Sequence, residues 1–89
     1  MSGKHQNHQE ITKRLKRAGG HLNKVVAMME NEEPCVDVAR QLQAVYKAIY
    51  NAKQLLVRDH IEHCIDERAI ATRSAAEIKA ELEEITKYL

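Results

Sequence analysis

Residues 34–65, PCVDVARQLQAVYKAIYNAKQLLVRDHIEHCI, decide the fold. No proline or glycine falls between Cys35 and Ile65, and Val38, Leu42, Val45, Ile49, Ala52 and Leu56 recur at alternating steps of four and three. That rhythm keeps the apolar side chains on one side of an α-helix, so the stretch reads as one long amphipathic helix over about 34–65. At about 1.5 Å of rise per residue, Cys35 and Cys64 stand roughly 40 Å apart at its two ends. They cannot meet within one chain. Two such helices laid antiparallel bring Cys35 of one chain beside His60 and Cys64 of the other, twice over, which points to an oligomer with soft-metal sites between subunits.

Working outward, Ile11, Leu15, Ala18, Leu22, Val25 and Met29 repeat the same step and predict a helix over about 9–31. Gly19-Gly20 interrupts it in composition, and a close helix crossing is the expected use of two missing side chains. Residues 1–8 are polar, include His5 and His8, and read as a flexible N-terminal tail. Asn31-Glu32-Glu33-Pro34 breaks the first helix, with Pro34 suited to the first position of the second. So short a connection predicts an antiparallel hairpin. After Cys64 the apolar rhythm lapses through 66–73, which reads as a loop or frayed turn. Ser74-Ala75-Ala76-Glu77 has the form of a capping box and opens a third helix over about 74–88, with Ile78, Leu82, Ile85 and Leu89 as its stripe. The expected fold is all-α, a three-helix protomer in one domain over 9–89.

Composition supports helices that finish their core by association. The 89 residues contain no Phe, no Trp and only three Tyr, so the core is aliphatic and thin for so short a chain. Net charge is only +1, but it is unevenly spread. Lys4 to Lys24 holds six Lys or Arg against Glu10 alone, an electropositive face in which Lys13, Arg14, Lys16 and Arg17 cluster. No stretch has the apolar length of a membrane span and the N-terminus lacks the apolar block of a signal peptide, so a cytoplasmic location with no membrane partner is expected. Thiols stay reduced in that compartment, which makes Cys35 and Cys64 ligands or reactive groups before disulfide partners.

His60-x-x-x-Cys64 places an imidazole and a thiol one helical turn apart on one face. Nitrogen and sulfur together suit copper(I), zinc, nickel or cobalt and do not suit magnesium or calcium. Cys35 of an opposing subunit adds a third donor, and two sulfurs with one nitrogen make a trigonal site for copper(I), which ranks slightly ahead of nickel(II) or cobalt(II). The latter want more donors, for which His5, His8 or the amino terminus are the candidates; His63 is a further one. No glycine-rich phosphate loop and no substrate cleft are apparent, so an enzyme is not expected.

Arg14-Leu15-Lys16-Arg17-Ala18-Gly19-Gly20-His21-Leu22, Pro34-Cys35-Val36-Asp37, Gln41-Leu42-Gln43-Ala44-Val45 and Asp59-His60-Ile61-Glu62-His63-Cys64 together resemble the CsoR/RcnR family of copper-sensing and nickel/cobalt-sensing repressors. The resemblance runs from residue 10 to 89. It implies antiparallel hairpins paired as a four-helix-bundle dimer and then as a disc-shaped tetramer. It also implies operator DNA bound in the metal-free form and released when the effector binds, so that efflux genes are derepressed. It places the copper ligands on Cys35, His60 and Cys64 and the additional nickel-branch histidine on His5. The acid hydrogen-bonded to the ligand histidine falls on Glu81, with Glu77 and Glu84 as the other acids on that helix. Arg14 and Arg17 match family positions for DNA, joined by Lys13, Lys16, Lys47 and Lys53 as phosphate contacts. Two other roles for this chain stay open: a thiol-based sensor of formaldehyde or another electrophile on the same fold, and a metal-buffering protein with no DNA role.

Overall fold

The computed structural model describes residues 3–89, with side chains from Asn7 onward. Four α-helices and no strand are present among the described residues: α1 Gly3–Glu30, α2 Cys35–Cys64, α3 Glu67–Thr72 and α4 Ala75–Thr86. The all-α expectation stands, and the protomer carries one helix more than the sequence reading gave. Residues 67–72, read as loop, form α3. Asp66 caps it, its carboxylate accepting from the Ala69 amide at 2.8 Å. A helix of this length has too few turns for apolar periodicity to show, so its only sequence signal is that cap.

α1 also differs at its start. Residues 3–8, read as a flexible tail, continue the helix. Asn7 and His8 reach a buried acceptor across the hairpin, Asp59, which gives this polar turn a reason to stay wound.

The hairpin turn follows from backbone hydrogen bonding. Glu33 N–H donates to the Met28 carbonyl at 3.0 Å and Glu32 N–H to Met29 at 3.1 Å, around Glu32 at φ 55°. This is the Schellman arrangement, which satisfies the last carbonyls of α1 and reverses the chain. Pro34 precedes α2 as its cap, one position earlier than expected, and its carbonyl accepts the first helical bond from Val38 at 3.1 Å.

α1 and α2 pack along a seam with a seven-residue repeat. Ile11, Ala18 and Val25 are buried on α1, and Val38, Val45 and Ala52 on α2. Val25, Val38 and Val45 form the core cluster with Met28 against it. Full burial of such side chains contributes roughly 1.5–3 kcal/mol each, a modest return for ordering helices this long.

The other half of the four-three pattern stays outside. Leu15, Leu22 and Met29 on α1, and Leu42, Ile49 and Leu56 on α2, are 39–62% exposed. The sequence stripe is therefore two seams, one closed within the protomer and one open on its surface. Gly19 and Gly20 are exposed, and a Cβ built on either meets nothing within 4 Å, so the close crossing expected there is not made within the protomer.

α4 opens with the predicted capping box: Glu77 N–H donates to Ser74 Oγ at 3.1 Å and Ser74 N–H to Glu77 Oε1 at 3.0 Å. None of its residues is fully buried. Polar ties to the end of α2 hold it, and they define the site.

Candidate metal centre

The last two turns of α2 carry two pairs of side chains at i,i+4 spacing, offset by one residue and so by about 100° around the helix. Asp59 and His63 face α1; His60 and Cys64 face α4. His60 Nε2 lies 3.0 Å from Glu81 Oε2, and the other Glu81 oxygen takes an ion pair from Arg73 at 2.7 Å. Donor atoms of His60, Cys64 and Glu81 all lie within 4.8 Å of one another, and they are the only such trio among the described residues. Of the three acids considered on the last helix, Glu77 is used in the cap and Glu84 pairs with Lys87 at 3.1 Å. Glu81 is the one that meets the histidine.

The electrostatics follow from these contacts. Cys64 is 3% exposed, and burial, reinforced by the Glu81 carboxylate, pushes its thiol up from the ordinary value. The Arg73 hydrogen bond is the chief reason that the Glu81 carboxyl is held below its ordinary value, with His60 a smaller contributor. An ionised Glu81 can hold the Nε2 side of the His60 ring, leaving Nδ1 as the nitrogen available to an ion beside Cys64. The donor chemistry of imidazole, thiolate and carboxylate fits a transition metal.

Cys35 is not brought to this group. It is exposed at the first residue of α2, at the opposite end of a molecule 57 Å long. The His5 side chain lies outside the described residues. His8 and His63, considered as extra nitrogen donors, are placed on the other face, against Asp59. Sequence reading missed Asp59 and Arg73. Asp59 had a usable signal: it falls seven residues after Ala52, in step with Val38 and Val45, and a carboxylate at a core position calls for partners.

The basic residues named from sequence lie on the first two helices. Lys13, Arg14, Lys16, Arg17 and Lys47 are exposed, while Lys53 is half-buried with its ammonium 5.2 Å from the Tyr50 ring. Arg14 and Arg17 share a shallow depression with His21, Ala48 and Asn51. Arg14 also pairs with Glu10 at 3.4 Å, and His21 Nε2 lies 2.7 Å from Gln41 Oε1.

Residues 7–89 match the family described as metal-sensitive transcriptional repressor, and the chain belongs to that family. Among individual relatives, it is 36% identical over 78 residues to the copper-sensing transcriptional repressor CsoR of Bacillus subtilis, covering 88% of this chain and 76% of that protein. CsoR of Mycobacterium ulcerans is 37% identical over 65 residues, 73% of this chain and 56% of the relative, so the match spans little more than half of that longer protein. The solved structure of the nickel-responsive transcriptional regulator InrS superposes with a TM-score of 0.78 at 34% identity, covering 91% of each chain. No helix among the described residues is long and apolar enough to cross a membrane.

Proposed function

We propose that this chain is a cytoplasmic, metal-responsive repressor that holds operator DNA when metal-free and releases it when a transition metal binds, derepressing efflux genes. The observation that carries the reading is the His60–Cys64–Glu81 group, a nitrogen and sulfur pair on one helix braced by an acid from another. Cys35 from the partner subunit of an antiparallel dimer supplies the second sulfur, and the open seam of Leu15, Leu22, Met29, Leu42, Ile49 and Leu56 supports that dimer and its further pairing to a tetramer. With two thiolates and one imidazole, copper(I) is favoured over nickel(II) or cobalt(II). His5 is the candidate extra donor for the latter two.

The chain's own residues do the rest. Arg73 keeps Glu81 ionised, Glu81 holds the His60 ring, and these contacts join α2 to α4 and the residue closing α3. A ligand that redirects His60 toward Cys35 of the partner subunit therefore changes how α4 is tethered, and a tetramer with two such arrangements can favour one over the other. Arg14, Arg17, Lys13, Lys16, Lys47 and Lys53 are the phosphate contacts.

The test is operator affinity during titration with copper(I) and, separately, nickel(II). The expected result is a fall of roughly 5- to 150-fold at saturation, the usual span of such couplings, and by linkage an equal weakening of metal binding by DNA. Affinity unchanged across saturation with both ions overturns the reading. Arg14→Glu with Arg17→Glu should abolish operator binding while metal still binds, which also separates a repressor from a metal buffer. The exposed thiol of Cys35 supports a second reading, an electrophile sensor. A covalent adduct at Cys35 that releases DNA without metal, seen by mass spectrometry after formaldehyde treatment, would favour it.

A further inference from the structure

The second i,i+4 pair at the end of α2 has a chemistry of its own. Asp59 takes the core position that follows Val38, Val45 and Ala52 along the hairpin seam and is 2% exposed. An amide and two imidazoles are placed against its carboxylate. Asn7 Nδ2 donates to Oδ1 at 2.6 Å, His63 Nδ1 lies 3.4 Å from Oδ1, and His8 Nε2 lies 3.6 Å from Oδ2. Oδ2 itself has no hydrogen-bond partner. A buried carboxylate needs a compensating cation as well as hydrogen bonds.

Those two nitrogen–oxygen separations are informative. In a tetrahedral site with bonds near 2.0–2.1 Å, neighbouring donors stand roughly 3.3 Å apart. His63 is so spaced from Oδ1 and His8 from Oδ2, each imidazole beside a different oxygen of the one carboxylate. A carboxylate and a histidine about one turn apart on a helix also recur, as Glu-x-x-His, among the metal ligands of helical bundles. We propose that His8, Asp59 and His63 form a second site, within one subunit, for a borderline divalent cation of which zinc(II) is the best fit.

The donor set separates this site from the one facing α4. It has no sulfur and includes a carboxylate, so it selects zinc(II), cobalt(II) or nickel(II) and rejects copper(I). Three protein ligands leave the fourth position to water. His63 Nδ1 also donates to the Asp59 carbonyl at 2.9 Å, so ligation through Nδ1 gives up that bond and moves the ring proton to Nε2. His8 and His63 flank the carboxylate without meeting as closely as His60, Cys64 and Glu81 do. The His8 ring is about half exposed, so closure is a swing of that side chain. Occupancy would pin the first turns of α1 to the end of α2, one residue from His60.

The experiment uses the full chain carrying Cys35→Ser and Cys64→Ser, which strips the sulfur ligands. Zinc(II) is titrated against a chelating dye, and cobalt(II) is followed by absorbance. The expected result is one zinc(II) per chain and cobalt ligand-field bands of four-coordinate intensity with no thiolate charge transfer. Adding Asp59→Asn or His8→Gln should weaken zinc(II) roughly tenfold or more. His8→Gln touches only a half-exposed side chain, and unchanged helical circular dichroism will show that the fold persists. Loss of all zinc(II) binding in the double-serine chain overturns the proposal, as does a His8→Gln chain that binds as tightly as its parent. Either failure leaves operator release by the unmodified protein untouched, so the two readings fall separately.

Discussion

Burial places the Cys64 thiol where a proton is hard to remove, and this sets the pH behaviour of both the free and the loaded protein. Its value is raised above the ordinary 9.0, so the folded state favours the neutral thiol. The corresponding stabilisation is present in full below pH 9.0 and is lost as pH rises through the raised folded value. Thermal unfolding of metal-free protein should therefore fall more steeply above pH 9 for the wild type than for Cys64→Ser. On the proposed site, metal binding expels the same proton, so apparent copper(I) affinity should rise with pH by about tenfold per unit for each proton released, and Cys64→Ser should flatten that slope. The His60–Cys64 pair was legible in the sequence because one turn of helix fixes its geometry. Arg73 was not, because its link to Glu81 depends on how α3 ends and where α4 begins, which no residue pattern near Arg73 states. Asp59 belongs to the same residue scale: it keeps the core period while breaking its polarity.

At the scale of elements, the turn between α1 and α2 rests on Glu32 at φ 55°, a conformation that favours glycine. Glu32→Gly is expected to stabilise the protein by about 0.5–1 kcal/mol, measured as a shift of the urea midpoint with unchanged slope. A destabilised variant would mean that the Glu32 side chain makes a contribution larger than the backbone strain. Helices α2 and α4 fall within a residue or two of the sequence bounds, since Pro34 and the Ser74–Glu77 box are strong local signals. The beginning of α1 was not readable that way. Its first turns are polar on every side, and what the described residues supply is a contact with a carboxylate more than fifty residues away. Gly19-Gly20 likewise suggested a crossing that the protomer does not make.

At the scale of the whole molecule, the protomer is long and thin, 57 × 26 × 14 Å, with one apolar seam closed and one open. Ile49 is 42% exposed in the middle of the open seam. If the open seam is the subunit contact proposed above, Ile49→Glu should leave the hairpin helical and yield monomers at micromolar concentration, read by analytical ultracentrifugation. Normal assembly in that variant would place the subunit contact elsewhere. The four-three stripe was fully visible in the sequence, but its division between an inner and an outer seam was not, because residues one helical turn apart share the same periodicity.

The separation of Cys35 from His60 and Cys64 along α2 has a consequence for sensitivity. On the proposed intersubunit reading, a centre that draws its two sulfurs from opposite ends of two molecules has no two-thiolate form in a dissociated chain, and mass action would govern detection. Dilution below the dimer dissociation constant would blunt the response to metal even with every ligand intact. Abundance of the protein would then help set the metal level at which transcription begins.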